Sequence, residues 1–169
     1  MRAISTAVLS MLLPLSATAM DCPTITKLLK EAESEFKNVK GDRGAPEDAV
    51  WKSKFSVPGM TDCEVEDDEL FLSFFCKAGK PSSSEEAIRS VEKLAQEIRA
   101  CLEGADEESS GYRERSRSGL IFRTYKKTEF SFPKSGLSVS ISARGLEREE
   151  NKEKSYSVDF EVALDKDPV

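Results

Sequence analysis

Residues 63–101 read CEVEDDELFLSFFCKAGKPSSSEEAIRSVEKLAQEIRAC, and this stretch decides the fold. It holds three of the four cysteines, the most apolar run outside the leader-like N-terminus (Leu70, Phe71, Leu72, Phe74, Phe75) and a helix marked at both ends. The segment from Leu70 to Lys77 is apolar on nearly both faces, as a strand in the middle of a sheet is. The acidic run Glu66-Asp67-Asp68-Glu69 before it reads as a turn, and a short strand around Cys63 and Val65 precedes that turn. On the other side, Ser82 with Glu85 or Ser83 with Glu86 makes a capping box. The stripe Ala87, Val91, Leu94, Ala95, Ile98, Cys101 and Leu102 then predicts one buried helix face, with Gly104 as its stop.

Working outward, Pro23 to Val39 carries Ile25, Leu28, Leu29, Ala32, Phe36 and Val39 at helical spacing, which predicts an amphipathic helix. Gly41 to Asp48 reads as a loop. Val50 to Val57 alternates, with Trp51, Phe55 and Val57 on one face, and predicts a half-buried strand. Beyond the second helix, Ala105 to Gly119 is polar throughout and reads as a connection or an edge strand. Leu120 to Phe132, Leu137 to Ala143 and Tyr156 to Leu164 predict three strands. The expected fold is α+β: two helices packed on one face of an antiparallel sheet of about six strands, in the order αβββαβββ, with two disulfides. The aromatics Trp51, Phe55, Phe71, Phe74, Phe75 and Phe160 are expected in the core.

The first nineteen residues have the pattern of an export signal: Arg2, an apolar run from Ala7 to Leu15, then Ala17-Thr18-Ala19. The run is shorter than the roughly 20 apolar residues a spanning helix needs. Cys22 stands three residues past Ala19, too far for lipid attachment at the cut. Residues 20–169 then form one domain of ordinary size. Without Arg2 the chain carries 24 basic against 31 acidic residues, a net charge of −7. Such a balance disfavours nucleic acid and anionic lipid, which are bound through Lys and Arg. Behind an export signal, Cys22, Cys63, Cys76 and Cys101 predict two disulfides and a periplasmic or secreted location. Three pairings are possible. Neighbouring strands favour Cys63 with Cys76, which leaves Cys22 with Cys101. A zinc site is disfavoured, since there is no close Cys pair and no histidine in the chain.

From Pro23 to Ala143 the order αβββαββ resembles the fold of type III secretion chaperones and related small bacterial binding proteins. That resemblance implies a sheet and helices that offer surfaces to a partner. Those chaperones end in a helix where this chain continues with a strand.

Without histidine, Ser-His and Cys-His pairs and the usual catalytic zinc sites are excluded, and no phosphate-binding glycine loop is present. No cofactor or metal is expected. Carboxylate chemistry remains: Glu64, Glu66, Asp67, Asp68 and Glu69 are candidates for a polysaccharide hydrolase, which needs one acid buried enough to stay protonated. A carrier of a small hydrophobic ligand is a further alternative, if the aromatics line a space. The only basic concentration is Arg113, Arg115, Arg117 and Arg123, with Lys126 and Lys127; Tyr112, Phe122 and Tyr125 lie near it. In an extended strand the first three arginines point one way, and a row of guanidinium forks suits carboxylates or phosphates. The competing reading pairs them with Glu107, Glu108 and Glu114 in a solvated loop. Arg113, Arg115, Arg117, Arg123, Tyr112 and Tyr125 are therefore the expected contact surface for another protein, and the chain reads as an exported, non-catalytic inhibitor, immunity or chaperone-like factor of the bacterial cell envelope.

Overall fold

A computed structural model of the chain describes residues 20–44, 49–152 and 154–166. The predicted export signal at 1–19 lies outside the described residues. Among them are two helices, α1 (Cys22–Glu33) and α2 (Ser84–Arg99). The first four strands are β1 (Lys40–Arg43), β2 (Val50–Ser53), β3 (Thr61–Asp67) and β4 (Phe71–Lys77). The other five are β5 (Asp106–Ser110), β6 (Arg113–Arg117), β7 (Leu120–Phe132), β8 (Leu137–Arg148) and β9 (Lys154–Asp165). All nine strands join one antiparallel sheet in the order β1-β2-β3-β4-β9-β8-β7-β5, with β6 also on β7. Two meanders, one on each side of α2 in the chain, meet where β4 pairs with β9.

The fold is α+β with two disulfides, but the expectation of six strands under two helices is corrected to nine. The three extra strands are polar on both faces (LysGlyAspArg, AspGluGluSerSer, ArgGluArgSerArg) and so lack an alternating signal. Pairing with a neighbour creates them. The helices contact the middle of the sheet, α1 on β4 and β9 and α2 on β7, β8 and β9. Past them, β6, the start of β7 and the end of β8 carry only exposed or half-buried residues.

Register places Val65, Phe74, Val162, Val139 and Phe130 in one cross-strand row, and all five are buried. Cys76, Phe160 and Ile141 form the next row, one pleat further along the same side. Ile25, Leu28 and Ala32 of α1 and Ala87, Val91, Ala95 and Ile98 of α2 complete the core. Phe36 and Phe74 rings lie 5.9 Å apart, and Phe55 stands 6.3 Å from Phe74. The aromatics expected in the core divide, however: Phe71 is 55 % exposed beside Leu70 at 63 %, and Phe75 is half-buried on the opposite side from Phe74. Alternation along one strand sends neighbours to opposite faces, so an unbroken apolar run cannot all be core.

Helix α1 is shorter than the 23–39 expected. Ser34 turns its hydroxyl back to the Glu31 carbonyl at 3.0 Å, and Glu35 and Phe36 take positive φ (58° and 51°). Phe36 and Val39 still reach the core, through that turn. In α2, Ser83 is the N-cap and accepts from the Glu86 N–H at 3.2 Å, while the Glu86 carboxylate accepts from Ser82 N–H and Oγ at 2.8 Å each. The helix ends at Arg99, before the expected stop at Gly104. Disulfides join Cys22 to Cys101 and Cys63 to Cys76, with Cα separations of 5.0 and 4.1 Å.

Candidate functional site

The distal end of the sheet, past the reach of the helices, is built by β6, the first half of β7, the second half of β8 and the start of β9. A bulge at Tyr125 shifts the β7–β8 register, from Thr124↔Arg144 to Lys126↔Ala143. Strands β5 and β6 run in one line along β7, interrupted at Gly111-Tyr112 opposite that bulge. Such an insertion re-aims side chains. It keeps Glu108 and Ser110 of β5 on the side of the sheet that carries Arg113 of β6: all three line one depression with Lys127 and Glu129. At the far end Ser118 and Gly119, both with positive φ (53° and 75°), turn β6 into β7 as a two-residue hairpin, which a Ser-Gly pair accommodates.

Alternation puts Arg113, Arg115 and Arg117 on one side, where they line an open groove of about 670 Å³ with Phe122, Thr124 and Arg144. All three arginines are exposed, and Phe122 is 46 % exposed among them. Among the described residues none of the three makes an ion pair. Of the three acids that a solvated loop would have offered, Glu107 and Glu114 are engaged elsewhere, and Glu108 lines the neighbouring depression with Arg113. Glu107 takes Arg99 of α2 at 2.5 Å, and Glu114 takes Arg123 at 2.8 Å. Arg144, at the edge of the groove, is tied to Asp159 at 3.3 Å and donates to Ser142 Oγ at 3.0 Å.

The remaining three predicted contact residues lie on the other side of the same strands. Tyr112, Tyr125 and Tyr156 form a chain of tilted rings with centroids 5.9 and 6.0 Å apart. Gly145 makes room for it, since a Cβ there would stand 2.8 Å from Tyr125 Cε2. Arg123 donates to Glu147 at 2.5 Å, to Glu114 at 2.8 Å and to Tyr112 Oη at 3.3 Å. The Arg123 hydrogen bond holds the Glu147 carboxyl below its ordinary range. Glu114 is lowered by the Tyr112 hydroxyl first and Arg123 second. Burial pushes the Tyr125 phenol up. This side is a satisfied network. The structure therefore divides the six residues that proximity in sequence had grouped: Arg113, Arg115 and Arg117 come together in the groove, Arg123 borders it but commits its guanidinium to Glu147, Glu114 and Tyr112, and Tyr112 and Tyr125 stand apart from it. Phe122 and Arg144 belong with the arginine row. The even spacing of Phe122 from Leu120 and Thr124 was the available signal for the first, and nothing local points to the second.

The acidic run is used structurally. Asp67 is clamped between Lys40 of β1 and Lys166 after β9. Burial raises its pKa, but hydrogen bonds and charge from the two lysines outweigh that and leave it lowered. Asp68 accepts from the Phe71 and Leu70 N–H groups at 2.6 and 2.8 Å, and these bonds lower it as well. Both are held as anions, the reverse of what a general acid requires. Among the described residues no group of His, Cys, Asp or Glu is placed to hold a metal ion, and no helix is long and apolar enough to cross a membrane. No protein-family model, curated protein or solved structure matches this chain.

Proposed function

We propose that this chain is an exported, non-catalytic binding protein of a bacterial cell envelope, an inhibitor, immunity or chaperone-like factor that acts by protein–protein contact. The carrying observation is the row Arg113, Arg115 and Arg117, three guanidinium groups that make no ion pair among the described residues, on one side of an exposed strand and set around Phe122. Exposed, unsatisfied arginine beside an exposed aromatic is the composition that interfaces favour. The export pattern at 1–19 and the two disulfides support an oxidising compartment. The anionic state of Asp67 and Asp68 works against the hydrolase alternative. The filling of the core by Phe36, Phe74, Phe130 and Phe160 works against the carrier.

The test is retention from an envelope extract on the immobilised, oxidised protein beside the variant R113S/R115S/R117S. One protein retained by the parent, lost with the variant and eluted by moderate salt is the expected result, because exposed charge contacts are screened within about 8 Å at physiological ionic strength. Equal retention by parent and variant overturns the assignment of the surface.

A further inference from the structure

The strand that carries the arginine row is also an unpaired edge. Among the described residues β5 and β6 pair only with β7, so from Asp106 to Arg117 the outer side of the chain offers free backbone donors and acceptors. At about 3.3 Å per residue this edge is roughly 40 Å long. An edge of that length is a template for another strand unless something prevents it.

Its charges are sorted in blocks. On the side of the sheet that carries the arginines, the line reads Asp106, Glu108 and Ser110 and then, past Gly111-Tyr112, Arg113, Arg115 and Arg117. The first half is acidic and the second basic. From this we infer that the edge is self-complementary and that its partner is a second copy of this chain, added antiparallel across a two-fold axis at Gly111-Tyr112 to make one continuous sheet. The inference rests on the reading above, that this strand is a binding surface, and gives it a partner.

Antiparallel pairing about that axis sets Arg113 opposite Ser110 of the second copy, Arg115 opposite its Glu108 and Arg117 opposite its Asp106. Two-fold symmetry makes each contact twice. Directly opposed residues stand 4.5–5.5 Å apart at Cβ, within reach of a guanidinium–carboxylate pair. On the reverse side Glu107 meets Ser116 and Ser109 meets Glu114, so no like charges are opposed. Glu107 and Glu114 keep their own partners, Arg99 and Arg123. Gly111 has open space where a Cβ would be and sits opposite Tyr112 of the other copy. Parallel addition stacks arginine on arginine and acid on acid. The blocks thus discourage indiscriminate edge pairing while permitting this one register.

Sedimentation velocity on the mature, oxidised chain tests the proposal, with Arg115→Glu and Glu108→Arg made singly, combined in one chain, and mixed as two chains. The parent is expected to dimerise at low ionic strength, more weakly as salt rises. Each single variant opposes like charges twice and is expected to dimerise at least about tenfold more weakly. The equimolar mixture restores both opposite-charge pairs in a heterodimer, and the doubly exchanged chain restores them in a homodimer. Both positions are exposed, and far-UV circular dichroism checks each fold. If a variant unfolds, the neutral pair Arg115→Gln and Glu108→Gln takes its place and is expected to lose the salt dependence. A parent that stays monomeric at high concentration and low salt overturns the proposal, as does a pair of folded single variants that dimerise like the parent. A monomer that still retains an envelope protein through its arginines sinks this proposal and leaves the earlier one standing. A dimer with no other partner does the reverse.

Discussion

Gly145 shows how one missing methyl shapes the distal sheet. It lies in β8 directly under the Tyr125 ring, and a Cβ would also come within 3.1 Å of the Tyr125 hydroxyl oxygen. Gly145→Ala should therefore displace Tyr125, loosen the ring chain to Tyr112 and Tyr156, and cost about 1–3 kcal/mol by overpacking. Urea denaturation gives the cost, and near-ultraviolet circular dichroism shows whether the tyrosines lose their fixed environment. Asp67 makes a second test. Its pKa in the folded state is lowered from 3.8. A depressed carboxylate contributes stability that is fully present above its unfolded pKa and is lost as pH falls through the folded value. Asp67→Asn should thus cost about 0.5–1 kcal/mol at neutral pH, allowing for solvent screening, and the gap from the parent should close as acid carries the pH down through the lowered folded-state pKa of Asp67. A gap that stays constant down to the acid transition would show that the two lysine contacts contribute no linked stability.

At the scale of the element, the two disulfides divide the work unequally. Cys22–Cys101 spans 79 residues and ties the start of α1 to the chain just past α2, whereas Cys63–Cys76 spans 13 and staples two strands that are already paired. On loop-closure entropy alone, replacing the long bridge with serines should cost about 4.5 kcal/mol and the short one about 3. Equal losses in denaturant titrations would mean that native contacts, not the unfolded chain, set the cost. The element boundaries show where periodicity misleads. Phe36 and Val39 continue the apolar spacing of α1, and they are buried, but a turn with positive φ delivers them there. Spacing reports which residues face the core and is indifferent to the backbone that takes them. Strand β2 stops at Ser53 for a comparable local reason: the Ser53 hydroxyl binds the Phe55 N–H and carbonyl at 2.9 and 2.7 Å, closing the backbone on itself.

For the whole molecule, the sheet order predicts how the protein opens. Strands β4, β9 and β8 are paired on both sides and lie beneath the helices, whereas β1 and the line of β5 and β6 are edges. Hydrogen exchange should be slowest in β4, β8 and β9 and fastest in β1, β5 and β6, since exposed edge backbone opens with little lost contact. Slow exchange in β6 that disappears on dilution would instead report the edge pairing proposed above. Legible from the residues alone were the α+β class, both helices, the central character of Leu70–Lys77, the long alternating strands and the cysteine count. Each depends on local periodicity or on residue type, which a single chain displays. That polar segments become strands is settled by tertiary pairing, because β1, β5 and β6 are ordered by the strand beside them and not by any pattern of their own. Pairing likewise sets the bulge at Tyr125 and commits the Arg123 guanidinium to Glu147, Glu114 and Tyr112 while Arg113, Arg115 and Arg117 stay free of ion pairs among the described residues. A bulge reverses which side of the sheet every later residue faces, and it is set by pairing across strands, which composition and spacing along one strand do not encode.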